Sequence, residues 1–233
     1  MDNMNDVLTT NIDHAFSLDI PQDRHGCTAA AWSGTLLNVD ANTTHYGVVL
    51  EGPAELRTGH GTFTLGTGFY FSVPGRFELS GGRGMLASKT SYTGFFKIGG
   101  PIETHGRLRY IDGCTDSLLI SPPVKGDPCL NFLYIPPNLD QTAHTHPSCR
   151  IGLILSGRGI CKTADSTLAL EPGILFVLPE DMLHSFHTDS DCLRIAVFHP
   201  DSDFGPSSEE HPMLNKTIVE GVSASTLRQQ AAI

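Results

Sequence analysis

The chain has 233 residues, of which 25 are acidic and 15 basic, so its formal net charge at pH 7 is −10. This charge excludes a general nucleic-acid-binding role, which needs a basic stripe. No apolar run approaches the ~20 residues of a membrane-spanning helix. Gly and Pro, at 24 and 15 residues, favour many turns and short strands. The composition predicts an all-β protein, which we place in the cytoplasm because no signal-peptide pattern is present.

Helical signals are weak and lie at the two ends of the chain, at Thr9–Phe16 and Ser223–Gln230. Between them, β-branched and aromatic runs bounded by Gly and Pro predict strands. The stretch Arg107–Ile120 predicts a hairpin that turns at Asp112-Gly113. In chain order, the strongest strand candidates are Tyr46–Leu50, Gly61–Leu65, Phe69–Val73, Ile151–Leu155, Ser166–Leu170 and Ile174–Leu178.

An internal repeat relates two parts of the chain at an offset of 105 residues. From position 45 to position 80, ten of 36 aligned residues are identical without a gap, including Gly47 with Gly152 and Pro74 with Pro179. Self-similarity of this length indicates two copies of one structural unit, and the period is too long for a solenoid. The sequence therefore predicts a duplicated β domain.

The second copy carries two spaced motifs. The first reads Asn138-x5-His144-x-His146-x3-Arg150-x6-Gly157, and the second Gly173-x5-Pro179-x-Asp181-x2-His184-x3-Thr188. They resemble the two motifs of the cupin superfamily, G-x5-H-x-H-x3/4-E-x6-G and G-x5-P-x-G-x2-H-x3-N. The departures are Asn138, Arg150, Asp181 and Thr188. The resemblance implies two cupin barrels (double-stranded β-helix or jelly-roll), with the domain bounds 1–25 (extension), 26–100 (barrel 1), 101–126 (connecting hairpin), 127–205 (barrel 2) and 206–233 (tail).

Three histidines are the candidate metal ligands. His144 and His146 are two residues apart, so on a strand both imidazoles would point to one face, and His184 follows the next apolar strand. Three converging imidazoles suit Fe, Zn, Cu, Ni or Mn. At the same offset the first copy has Val39, Ala41 and Leu79, which cannot ligate a metal. We therefore expect one divalent metal per chain, Fe(II) first among the candidates.

Arg150 stands where the cupin motif has its glutamate ligand. A guanidinium ~5 Å from a divalent ion would be repelled by roughly 6–7 kcal/mol at an effective dielectric of ~20. One hypothesis is that Arg150 binds an anionic substrate that also reaches the metal, because its planar fork matches carboxylates. The alternative is that Arg150 swings to the rim and pairs with Asp140, Glu180 or Asp181.

Other residues near the motifs are less informative. Tyr134 shares a strand face with Phe132 and would offer its hydroxyl to the substrate if that face looks inward; if not, it is ordinary surface. The six cysteines contain no C-x-x-C pair and are expected to be reduced and mostly buried, including Cys149 beside the motif. We assign His187, His199 and His211 to the surface or to positions behind the ligands.

The three-histidine set without a glutamate resembles iron cupins such as ring-cleaving and thiol-oxidising dioxygenases. That resemblance implies oxygen-dependent oxidation of a small anionic organic substrate at His144, His146 and His184, with Arg150 and Tyr134 as substrate contacts. Two alternatives stay open. One is a non-redox metal-dependent isomerase, lyase, cyclase or hydrolase, and the other is a non-catalytic sensor that binds a small ligand. We expect a monomer or a homodimer.

Overall fold

The computed structural model describes residues 7–20, 24–34, 37–39, 42–209 and 211–231. The fold of this part is all-β, with antiparallel sheets as its main elements. Its helical segments are one 3₁₀ turn at Ile111–Gly113 and two short helices near the C-terminus, α1 (Pro212–Asn215) and α2 (Ala224–Ala231). The all-β class predicted from composition is confirmed.

The first unit consists of a large sheet and a small sheet. Its strands are β2 (Phe16–Asp19), β3 (Cys27–Ser33), β4 (Leu37–Val39), β5 (Thr43–Glu51), β6 (Ala54–Thr58), β7 (Gly61–Leu65), β8 (Tyr70–Pro74), β9 (Phe77–Ser80), β10 (Arg83–Thr90) and β11 (Lys97–Gly99). The six-stranded sheet has the order β11-β8-β5-β10-β3-β2, and the four-stranded sheet has the order β4-β9-β6-β7.

The second unit repeats this plan. Its strands are β1 (Leu8–Asn11), β12 (Leu108–Arg109), β13 (Thr115–Ile120), β14 (Cys129–Ile135), β15 (Arg150–Gly157), β16 (Gly159–Thr163), β17 (Thr167–Leu170), β18 (Ile174–Leu178), β19 (His184–His187) and β20 (Leu193–His199). The seven-stranded sheet has the order β1-β18-β15-β20-β14-β13-β12, and the three-stranded sheet has the order β17-β16-β19. A last hairpin joins β21 (Ile218–Val219) to β22 (Val222–Ser223) in the tail.

The sequence repeat appears in space as one cross-strand pair found in both units. In the first, Gly47 of β5 lies opposite Phe71 of β8; in the second, Gly152 of β15 lies opposite Phe176 of β18. A Cβ added at either glycine would lie 2.1 Å from the facing phenylalanine ring. Each glycine is therefore required by the close approach of an aromatic ring. Each unit thus has one large and one small sheet, and the description of the units as two barrels stays a prediction.

The apolar core has three layers. One cluster fills the first unit around Trp32 and Phe71, and a second fills the other unit around Phe176 and Phe186. The third cluster lies between the two large sheets, where the rings of Tyr46 and Phe198 approach to 5.0 Å. Strands of the large sheets are consequently buried on both faces, so alternate residues contact different cores.

The predictions for the two ends of the chain have different outcomes. The predicted helix at Thr9–Phe16 is wrong, because β1 pairs there with β18 of the second unit, and β2 pairs with β3 of the first. The predicted hairpin is confirmed by the pairing of β12 with β13 around Ile111–Gly113, and the predicted tail helix by α2. The domain bounds stay a prediction, and the N-terminal extension contributes strands to both units.

All six cysteines are free, and five of them are buried, as the sequence predicts; Cys192 is partly exposed. Cys149 is 2% exposed and packs in the cluster between the large sheets. In the part of the chain that the structure describes, no helix has both the length and the apolar character needed to cross a membrane.

Candidate metal centre

His144, His146 and His184 come together in the second unit. Their ring centroids are 4.6 to 5.1 Å apart, and one nitrogen from each lies within 4.8 Å of the others. His184 begins β19, and its backbone exchanges two hydrogen bonds with that of His144, at 2.9 and 3.0 Å. His144 and His146 lie in an irregular segment rather than on a strand, so the strand geometry expected for them is wrong although the three rings converge.

Backbone carbonyls fix the orientation of two of the three rings. Nδ1 of His144 lies 2.9 Å from the carbonyl oxygen of Thr142, and Nδ1 of His184 lies 2.9 Å from that of Met182. Because a carbonyl oxygen only accepts, each Nδ1 must carry the proton, which leaves the lone pair on Nε2. Metal-binding histidines are typically held by such a bond from the second ring nitrogen.

Two of the imidazoles are held neutral at pH 7. Burial lowers the pKa of His146 to about 3, with the positive charge of Arg150 and the neighbouring imidazoles as further causes. Burial also lowers the pKa of His184 to about 4. Neutral imidazole is the form that ligates a metal, so the donor set fits a divalent cation.

Arg150 is buried beside this cluster and is 4% exposed. Its Nη1 donates to the carbonyl oxygens of Ser148 and Cys149, at 2.9 and 3.0 Å, and to Ser148 Oγ at 2.7 Å. Its Nε has no hydrogen-bond partner among the described residues. Burial lowers the pKa of Arg150, but an arginine remains charged at pH 7.

The rim alternative for Arg150 is therefore wrong. Within the described chain, Arg150 makes no ion pair with an acidic side chain; Asp140 pairs with His187 and Glu180 pairs with Arg24. A buried cation without a carboxylate partner has a large desolvation cost, which an anion in contact with it would offset.

The histidines and Arg150 line a common cavity of about 50 Å³. Apolar side chains form much of its wall: Leu133, Phe176, Leu178, Phe186 and Val197. The cavity is also lined by polar residues that were not predicted from the sequence to be there: Tyr110, Asp116, Asn131, Gln141 and His199.

His199 is the polar residue of greatest interest. Its ring centroid lies 6.5 Å from that of His146, and burial together with the charge of Arg150 lowers its pKa well below the ordinary value. A surface position for His199 is wrong, because this residue lines the cavity beside His146. The position of His199 could have been predicted from the alternation along β20, where Val197 and His199 share the face that lines the cavity.

Tyr134 is not brought to the cavity. Along β14, Asn131 and Leu133 line the cavity, whereas Phe132 and Tyr134 lie on the opposite face, toward the first unit. The Tyr134 ring packs against that of His105 with centroids 4.4 Å apart. The prediction that Tyr134 faces inward and contacts the substrate is therefore wrong.

Two departures from the cupin motifs have a backbone explanation. Asn138 and Asp181 both have φ of +57°, the left-handed region that glycine adopts most readily. Asn and Asp are the side chains that tolerate this region best after glycine. These substitutions therefore preserve the turns that position the ligand segments.

The first unit has an apolar residue at one predicted counterpart of the ligands. Leu79, the counterpart of His184, is fully buried in the core of that unit. The side chain of Val39 and all of Ala41 lie outside the described residues. His45, the counterpart of Arg150, contacts Ser88 Oγ at 2.8 Å and packs edge-on against Phe77. Among the described residues, the second unit contains the cluster with metal-ligand geometry.

Comparison with known proteins supports the fold. The family model of the AraC-like ligand binding domain matches residues 135–208. No curated protein sequence matches the chain significantly.

Solved structures resemble the chain over most of its length. A cupin 2 conserved barrel domain protein from Leptotrichia buccalis aligns with a TM-score of 0.62 at 10% identity, over 83% of this chain and 96% of that one. The protein Ylba from E. coli aligns at 0.56 and 16%, over 89% and 95%. Salicylate 1,2-dioxygenase from Pseudoaminobacter salicylatoxidans, solved with gentisate, aligns at 0.56 and 14%, over 75% and 68%. The chain thus has a cupin-type fold, with a three-histidine cluster in its second unit.

Proposed function

We propose that the chain is a metal-dependent enzyme that oxidises a small anionic organic substrate with dioxygen. The ligands would be His144, His146 and His184, holding one Fe(II). The observation that carries the proposal is a buried arginine without an acidic partner among the described residues, in the same cavity as three imidazoles. A ferrous ion held by neutral ligands alone would supply coordination positions for substrate and dioxygen.

The chain's own residues bind and orient the substrate. Arg150 offers its guanidinium to the substrate's anionic group, and its three Nη1 bonds to the backbone and Ser148 hold that guanidinium in place. The apolar wall, including Leu178 and Phe186, excludes water and strengthens the attraction between Arg150 and the anion. The cytoplasmic location and the monomeric or dimeric state stay predictions.

Oxygen uptake by the iron-reconstituted chain tests the proposal. A panel of small carboxylic and thiol acids is screened, with His146→Ala as the metal-deficient control. With the active acid, Arg150→Ala should raise KM about 10-fold or more at unchanged iron content, because a charge-assisted hydrogen bond is lost. Arg150→Lys should recover part of this loss. Unchanged KM and kcat in Arg150→Ala would refute the anchoring role.

A second candidate function is ligand binding without turnover, which the match to an AraC-like ligand binding domain favours. The same panel separates the two. An acid that binds tightly but causes no oxygen uptake and is recovered unchanged would indicate a binding module. An acid that is converted without oxygen, by the zinc-loaded chain, would indicate a non-redox enzyme.

A further inference from the structure

We propose that the cavity takes a short aliphatic carboxylate, of about two or three carbon atoms, and excludes aromatic acids. The proposal rests on the proposed function only for the location of the site. It names the substrate class from three features of the cavity: the groups at its polar end, its volume and its walls.

The polar end is formed by two side chains that are adjacent on neighbouring strands. Ile151 of β15 pairs with Phe198 of β20, which brings Arg150 next to His199, and both line the cavity. Arg150 has an unpartnered Nε–H, and the imidazole of His199 carries at least one further N–H. A carboxylate has two oxygens and can accept from both residues at once.

A third polar atom of the cavity lining also lacks a partner. Oδ1 of Asn131 is buried without a hydrogen bond among the described residues. A buried polar atom without a partner is costly, and an amide oxygen only accepts, so Asn131 Oδ1 is expected to bind a water molecule or a donor group of the ligand rather than its carboxylate. Apolar side chains form much of the remaining lining, so the ligand's polar group belongs at the Arg150 end.

The volume of the cavity limits the size of the group attached to the carboxylate. The cavity of about 50 Å³ has room for roughly three to five water-sized groups, since one such group needs about 10–15 Å³. Acetate and propionate are of this size, whereas benzoate and salicylate have about twice as many non-hydrogen atoms. Leu178 and Phe186, 2% and 5% exposed, are packed walls that would have to move for a benzene ring to enter.

Calorimetric titration of the zinc-loaded chain tests this class without turnover. Propionate should bind about 10-fold or more tightly than benzoate, the size of discrimination that a few carbon atoms give in a hydrophobic pocket. His199→Leu should weaken propionate binding about 10-fold at unchanged zinc content. Benzoate binding as tightly as propionate to the unaltered chain would overturn the inference.

A variant that gains affinity for benzoate tests the inference independently of any loss of protein stability. Leu133→Ala enlarges the cavity and should bring benzoate affinity to within about threefold of propionate affinity. Leu153→Ala is the matched control, because Leu153 is on β15 of the same sheet but packs in the core between the sheets. Its preference for propionate should be unchanged. Relaxed discrimination in Leu153→Ala alone would contradict the assignment of the wall.

Failure of this inference is distinguishable from failure of the proposed function. Propionate binding, with no oxygen uptake by the iron-loaded chain from any acid of the panel, supports the substrate class while contradicting the dioxygenase. Oxygen uptake with aromatic acids only overturns the substrate class while supporting the dioxygenase.

Discussion

The glycine–phenylalanine pair that occurs in both units makes a matched prediction. In Gly152→Ala, the added Cβ would lie 2.1 Å from Cζ of Phe176, with the next two ring atoms at 2.5 and 2.6 Å. Ordinary contact begins near 3.4 Å, so the ring must move by more than an ångström. Phe176 is 2% exposed and lines the cavity, so a displaced ring moves into the core or into the cavity.

Overpacking of this kind costs about 1–3 kcal/mol. We expect Gly152→Ala to lose about 2 kcal/mol of unfolding free energy, and its Tm to fall by about 4–8 °C for a chain of this size. Gly47→Ala is the internal control, because its Cβ would lie 2.1 Å from Phe71, a buried ring in the core of the first unit. Its loss of stability should be similar.

Binding separates the two variants. Gly152→Ala should weaken propionate binding to the zinc-loaded chain about 10-fold, because the displaced ring reduces a cavity already near the size of the ligand. Gly47→Ala should bind propionate as the unaltered chain does. Urea denaturation followed by circular dichroism gives the stabilities, and calorimetry gives the affinities. Unchanged stability in both variants, or equal loss of binding in both, would refute the reasoning.

Two further predictions concern pH and thiols. In the metal-free chain, burial lowers the pKa of His146 to about 3 and of His184 to about 4, so the unfolded chain takes up protons first as the pH falls. The free energy of unfolding should therefore be constant above pH ~7 and fall between pH ~6.5 and ~4 by up to about 2 kcal/mol per pH unit. This slope is smaller than the slope for two full protons, because solvent reaches His146. Flat stability across that range, in urea titrations, would contradict the burial of these rings. Burial raises the pKa of Cys129 and of Cys161 to about 12 in each case, whereas Cys192 is partly exposed. A thiol reagent at pH ~8 should modify Cys192 in the native chain and the two buried thiols only after unfolding; mass spectrometry that finds modified Cys161 in native protein would refute this.

The features predicted from the sequence are those that depend on the spacing of residues close together in the chain. Runs bounded by Gly and Pro located the paired strands of both units, and the two motifs located the histidine cluster, because ligand spacing depends on a short stretch of backbone. The repeat was visible because Gly47 and Gly152 meet the same packing demand from Phe71 and Phe176.

Non-local pairing determines what the sequence left open. Alternation along β14 places Tyr134 and Leu133 on opposite faces of the strand. Because both faces are covered by other parts of the protein, the apolar residues of β14 did not indicate which face lines the cavity. His199 reaches the cavity through the register of β20 with its neighbours. The segment at Thr9–Phe16 is extended because β1 finds a partner in β18, far along the chain.

Metal analysis of tag-free protein purified without oxygen tests the central claim most directly. We expect about one iron per chain, lost in His146→Ala, with the folded circular dichroism spectrum retained. About one zinc, manganese or nickel that iron cannot replace on reconstitution would contradict the dioxygenase. No metal in either protein, even after reconstitution, would contradict the metal centre itself.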